Sequence, residues 1–124
     1  MEDKKKKIIL IADDERPMAR ALELKLESQG FETVTVFDGE EALKKFEAIE
    51  FDLLLVDLMM PKRDGFSVLS KIREKNQDIP IIVLSNLGQG EDIEKAKRAG
   101  ATDYFVKSNT PISKIVKEIN EAIK

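Results

Sequence analysis

Oxygen-bearing and cationic side chains stand directly after four short apolar runs in this 124-residue chain. Asp13-Asp14 follow IILIA, Asp57 follows LLLV, Ser85 follows IIVL and Lys107 follows YFV. Three carboxylates held together repel one another and raise one another's pKa unless a cation sits between them. With no His and no Cys in the chain, such a cluster offers oxygen alone. That donor set suits a hard cation, Mg2+ ahead of Ca2+, which keeps several waters. A lysine amine and a serine hydroxyl add two groups suited to a phosphoryl's equatorial oxygens. An aspartate carboxylate can then act as nucleophile and form an acyl phosphate. The constellation reads as Mg2+-dependent phosphorylation of an aspartate.

The missing residue types narrow the chemistry further. Zero Cys excludes a disulfide framework and zinc–thiolate sites. Zero His excludes histidine triads, imidazole metal ligands and a phosphohistidine on this chain. The 21 Lys+Arg against 24 Asp+Glu give a net charge of −3, which argues against direct nucleic-acid binding. No apolar run approaches the ~20 residues of a membrane span. The N-terminal apolar run is only five residues long, and Asp13-Asp14 stand where a signal peptide would need small residues. Lys4–Lys7 read as a solvated leader, and the expected location is cytoplasmic.

These side chains need a scaffold that brings them together. Ile8–Ala12, Leu53–Val56 and Ile81–Leu84 are continuous aliphatic runs, the mark of strands buried on both faces of a parallel sheet. Thr33–Phe37 alternates and reads as an edge strand; Tyr104–Val106 is a fifth short run. Helical spacing lies between them. Met18, Leu22 and Leu26 end at Gly30; Ala42, Leu43, Phe46 and Ile49 follow Asp38, an N-cap with Glu41 completing a capping box. Phe66, Leu69 and Ile72 follow Asp64-Gly65, and Ile93, Ala96 and Ala99 form a thin stripe before Gly100. Ile112, Ile115, Val116, Ile119, Ala122 and Ile123 form the widest stripe, after Pro111. Alternating strand and helix predicts right-handed crossovers and a (βα)5 parallel sheet in one domain, residues 1–124. Open sheets of this kind bind ligands beyond the C-terminal ends of their strands. All the candidate residues fall on that rim.

The pattern resembles the receiver domain of two-component response regulators over nearly the whole chain. The resemblance rests on the acidic pair in ILIADDE, the aspartate in LLLVDLMMPKRDGF, the hydroxyl in IIVLSN and the lysine in AGATDYFVK. Asp57 followed by Pro61 and Gly65 is its most specific segment. The resemblance implies a flavodoxin-like, doubly wound five-stranded sheet of order 2-1-3-4-5. It implies that Asp57 is the phosphoacceptor, that Asp14 ligates Mg2+ directly and that Asp13 does so mainly through water. Asp57 and the backbone carbonyl of Met59 complete the protein ligands. Lys107 would bind the phosphoryl group, Ser85 would turn inward to hydrogen-bond it, and Tyr104 resembles the aromatic switch that follows. The donor would be a phosphohistidine on a partner histidine kinase or phosphotransfer protein.

Two departures bear on that resemblance. Lys107 is followed by Ser108 rather than Pro, so a different loop is expected to hold the lysine. Asn86 and the apolar Met59 and Leu87 flank the site, and are expected to crowd it and restrict an attacking water. The expected output is a changed surface across the fourth helix, fifth strand and fifth helix, with the thinly anchored fourth helix moving most. Its listener would be a downstream protein or output domain; Lys95, Lys97 and Arg98 against Glu118 and Glu121 also allow a homodimer. With one helix after Lys107, a stand-alone regulator and a receiver separate from its output domain are both open. The competing reading is a Mg2+-dependent phosphohydrolase of the haloacid-dehalogenase type. That reading calls for a second acid two residues after the nucleophile, where this chain has Met59. A flavodoxin-type flavin carrier fits poorly, since Asp-Asp-Glu repels phosphate in the absence of metal.

Overall fold

The computed structural model describes residues 6–123. Five strands alternate with five helices: β1 (Ile8–Ala12), α1 (Arg16–Ser28), β2 (Glu32–Val36), α2 (Gly39–Ala48), β3 (Leu53–Val56), α3 (Gly65–Lys75), β4 (Ile81–Ser85), α4 (Gly90–Arg98), β5 (Asp103–Val106) and α5 (Ile112–Ile123). A 3₁₀ turn, Lys107–Asn109, joins β5 to α5. All four strand pairings are parallel, in the order β2-β1-β3-β4-β5. This is the (βα)5 parallel sheet that the residue pattern predicts, in the flavodoxin-like order that the resemblance implies.

Continuous aliphatic strands arise because both sheet faces are covered. Leu10, Ala12, Leu54, Val56, Ile81 and Val83 pack in one cluster with residues of α2, α3 and α4. Ile9, Ile11, Leu53, Leu55, Ile82 and Leu84 pack in the other with α1 and α5. Alternate residues thus serve opposite cores, as strand geometry requires. The edge strand β2 is only half-buried, and its outward threonines are satisfied by α1. Thr33 and Thr35 donate to Glu27 (2.9 Å) and Glu23 (2.8 Å).

Several boundaries differ by a residue from the sequence pattern. β2 ends at Val36, because the Phe37 N–H leaves the ladder and donates to the Glu41 carboxylate at 3.2 Å. The Asp38 carboxylate does accept the Glu41 N–H, at 2.8 Å. Half of the capping box therefore forms as expected, while the returning bond is shifted one residue toward the N-terminus. β4 extends to Ser85, which pairs with Val106, and β5 begins at Asp103. Ala122 lies exposed rather than on the buried stripe of α5, whose buried residues are Ile115, Val116 and Ile119. α4 buries only Ala96.

Gly65 shows how the fold places β3's end. A Cβ there would lie 2.5 Å from Leu58 Cα and 2.6 Å from the Asp57 carbonyl oxygen. The start of α3 therefore presses directly on the backbone at Asp57–Leu58, with the Gly65 N–H donating to the Leu58 carbonyl at 2.9 Å. Asp64 caps the helix through the Ser67 N–H at 3.0 Å. No described helix is long and apolar enough to cross a membrane.

Candidate functional site

Parallel strands deliver their last residues to one rim, and adjacency of β1 and β3 puts two acids side by side. Asp13 prolongs β1 through its N–H to the Val36 carbonyl (3.1 Å), and the Asp57 N–H bonds the Ala12 carbonyl (2.9 Å). Both aspartates are nearly inaccessible, at 3% and 4% exposure, whereas Asp14 is exposed. One carboxylate oxygen from each of Asp13, Asp14 and Asp57 lies within 4.8 Å of the others. An all-oxygen group of this size fits a hard divalent cation.

Lys107 enters from the far side of β4. Its Nζ donates to Asp57 Oδ2 (2.7 Å), to Asp13 Oδ1 (2.9 Å) and to Glu15 Oε1. The amine is buried, with 6% of the side chain exposed. The 3₁₀ turn replaces the proline expected after this lysine, and Lys107 nonetheless reaches the acids. Backbone donors complete the frame: the Glu15 N–H bonds Asp13 Oδ1 (2.9 Å) and the Met59 N–H bonds Asp57 Oδ1 (3.0 Å).

Burial and neighbouring charge shift the titration of the rim's buried groups. Burial pushes the Asp13 carboxyl up to about 6; the Glu15 N–H and Lys107 oppose the rise and the Asp57 charge adds to it. Burial alone depresses the Lys107 ammonium, but its hydrogen bonds to Asp57, Glu15 and Asp13 more than offset this. The lysine is therefore held protonated, with a pKa above its ordinary range.

Ser85 is fully buried at the end of β4, and its Oγ accepts the Leu87 N–H at 3.3 Å. Tyr104 is also buried, at 9% exposure, and its hydroxyl donates to the Leu87 carbonyl. The aromatic ring is thus packed inward, against the Leu87 backbone. Its hydroxyl pKa is raised, chiefly by burial, with the charges of Asp92 and Asp57 adding and the nearby Ser85 hydroxyl opposing. A cleft of about 700 Å³ opens beside Asp57, lined in part by Asp14, Glu15, Met59, Phe66, Asn86 and Leu87. The Met59 side chain is exposed at this cleft, as its expected flanking position requires.

The structure thus gathers Asp13, Asp14, Asp57 and Lys107, with Ser85 and Tyr104 linked through the Leu87 backbone. Sequence reasoning missed Glu15 as a partner of Lys107. The available signal was its place directly after the acid pair.

A family model for the response regulator receiver domain matches residues 9–120. Among curated proteins, the probable transcriptional regulator ycf27 of Cyanophora paradoxa is 47% identical over 111 residues, covering 90% of this chain and 46% of that protein. The alkaline phosphatase synthesis transcriptional regulatory protein PhoP of Bacillus subtilis (strain 168) is 36% identical over 118 residues, covering 95% of this chain and 47% of that one. The chain spans about half the length of these curated relatives. Among solved structures, the Francisella response regulator 1452 receiver domain superposes with a TM-score of 0.88 at 32% identity, covering 94% of this chain and 96% of that one. A CheY-like receiver domain protein from Methanospirillum hungatei JF-1 gives a TM-score of 0.91 at 26% identity, covering 96% and 94%. With its rim of acids and lysine on a 2-1-3-4-5 sheet, this chain belongs to the response regulator receiver domain family of two-component systems.

Proposed function

We propose that Asp57 accepts a phosphoryl group from a phosphohistidine of a partner histidine kinase or phosphotransfer protein, with Mg2+ held beside it. The phosphorus–nitrogen bond breaks as a phosphorus–oxygen bond to Asp57 forms, and the imidazole leaves with the electron pair. In this reading Asp14, Asp57 and the Met59 backbone carbonyl would hold the ion, with Asp13 contributing mainly through water. When bound, the cation would supply positive charge beside the carboxylates and the phosphoryl oxygens. Lys107 orients that group, and Ser85 donates to it once it turns from the Leu87 N–H. The observation that carries the reading is the meeting of Lys107 Nζ with Asp57 and Asp13 at 2.7 and 2.9 Å, from three strands.

The added charge then biases the α4–β5–α5 surface. Tyr104 couples to that surface through the Leu87 carbonyl, and α4, with Ala96 its one buried residue, offers little resistance to displacement. The listener is a downstream protein or an output domain, a reading supported by curated relatives of about twice this length that are named as transcriptional regulators. The chemistry is confined to the protein's own phosphorylation and dephosphorylation, in the cytoplasm. A general phosphohydrolase is disfavoured by the apolar Met59 two residues after the nucleophile.

Incubation with acetyl phosphate, with and without Mg2+, tests this by intact mass. The expected result is one added phosphoryl group in wild type, dependent on Mg2+, and none in Asp57→Asn. A phosphoryl group on Asp57→Asn, or continuous hydrolysis of the donor with no stoichiometric adduct, contradicts the assignment.

A further inference from the structure

Glu15 stands outside the roles assigned above, yet it contacts the group that binds the phosphoryl. An ammonium has three N–H donors, and Lys107 Nζ spends them on Asp13, Asp57 and Glu15. A phosphoryl group on Asp57 needs at least one of these donors. Asp13 is poorly placed to release its share, being buried and already fixed by the Glu15 N–H at 2.9 Å. The Asp57 bond passes to the phosphoryl group once that carboxylate is phosphorylated; of the two carboxylates left, the Glu15 side chain, 51% exposed and on a rotatable stem, is the one free to yield a further donor. Its carboxylate also lines the cleft beside Asp57, together with Asp14. A donor seated in that cleft lies beside this negative charge.

We infer that Glu15 is a positioning and donor-selecting residue, which holds Lys107 over the site and penalises phosphodonors in proportion to their negative charge. The favoured class is a nitrogen-linked phosphoryl with a neutral or cationic leaving group. The disfavoured class is a dianionic acyl phosphate. The inference rests on the reading of Asp57 as acceptor. In either case phosphorus moves to an Asp57 oxygen as its bond to the leaving nitrogen or oxygen breaks, and that atom departs with the electron pair.

The test compares acetyl phosphate, a dianion, with phosphoramidate, whose ammonium nitrogen removes one negative charge. Initial rates of adduct formation are measured by intact mass at fixed Mg2+ for wild type, Glu15→Gln, Glu15→Asp and Asp57→Asn. Glu15→Gln is expected to speed acetyl phosphate labelling about three- to tenfold at low ionic strength, and phosphoramidate labelling by a clearly smaller factor. The difference between donors should shrink in about 0.5 M salt, where charges this far into solvent are screened. Glu15→Asp, which keeps the charge, should retain the wild-type donor preference. A purely structural role would move both donors by the same factor, and that result overturns the inference. Slower labelling with both donors in Glu15→Gln also overturns it. Labelling of Asp57→Asn at the wild-type rate would instead remove the acceptor assignment, and the inference with it.

Discussion

At the scale of single residues, the rim is an electrostatic compromise in which one ammonium offsets several carboxylates. Lys107 is the only cation bonded to Asp13 and Asp57 among the described residues. Lys107→Ala should therefore lower metal-free stability at pH 8 by about 3 kcal/mol, the usual cost of orphaning one side of a buried pair. Added Mg2+ should recover more melting temperature in that variant than in wild type, because both cations neutralise the same oxygens. Equal metal-induced shifts would mean that lysine and metal act at separate places. Asp13 gives a pH signature of known sign. Its folded-state pKa, pushed up to about 6 chiefly by burial, lies above the ordinary carboxylate value of about 4. The folded state therefore holds the proton more tightly, and this contribution to stability is full below about pH 4 and lost as pH rises through about 6. Asp13→Asn carries no such proton. Its metal-free stability relative to wild type should grow across that window, by no more than about 3 kcal/mol, and then level off. Urea unfolding at pH 4 to 8 checks this, and a constant difference would contradict it.

At the scale of elements, α4 differs from its neighbours in how it is fastened. Its C-terminal end is tied to α3, since Arg73 donates to the Gly100 carbonyl (2.8 Å) and to Thr102 Oγ1 (3.3 Å), while Thr102 Oγ1 accepts the Ile81 N–H (3.0 Å). Its N-terminal end follows the exposed Gly88, begins at the exposed Gly90 and has no side-chain cap. A helix pinned at one end and carrying one buried residue opens at low free energy. Amide exchange in residues 88–100 should therefore change more than elsewhere when a beryllofluoride phosphoryl mimic binds. Unchanged exchange there would locate the readout on another element. The pinned end has a constraint of its own: Gly100 has φ +119°, and a Cβ would meet Arg73 Cγ at 2.3 Å. Gly100→Ala should cost about 1–2 kcal/mol from backbone strain, and more if the Arg73 contacts are lost. Chemical denaturation reads that cost directly.

At the scale of the whole molecule, two cores share one sheet, so stability and site geometry have a common source. Leu54 lies at the centre of β3 with no exposed surface and pairs with Leu10 and Ile81 on either side. Leu54→Ala should destabilise by about 2–5 kcal/mol through lost burial and an unfilled cavity. Leu24→Ala, at a side chain 51% exposed, should change stability by less than about 0.5 kcal/mol. Denaturant midpoints compare the two, and similar losses would contradict the layering described.

Local pattern was sufficient for the elements and for the identity of the rim. Continuous aliphatic runs specify strands with two buried faces, and the polar residue ending each run specifies what a parallel sheet presents at one edge. Asp13, Asp14, Asp57, Ser85 and Lys107 were legible on those terms, as were the stops at Gly30 and Gly100. The tertiary structure alone decided which neighbour each group keeps. It separates buried Asp13 from exposed Asp14, brings Lys107 to acids 94 and 50 residues away in the chain, adds Glu15 to that contact and tucks Tyr104 against Leu87. Periodicity records which face of its own strand a side chain takes. Contacts between strands depend on sheet order and on competition for a few donors, and these exist only once the whole chain has packed.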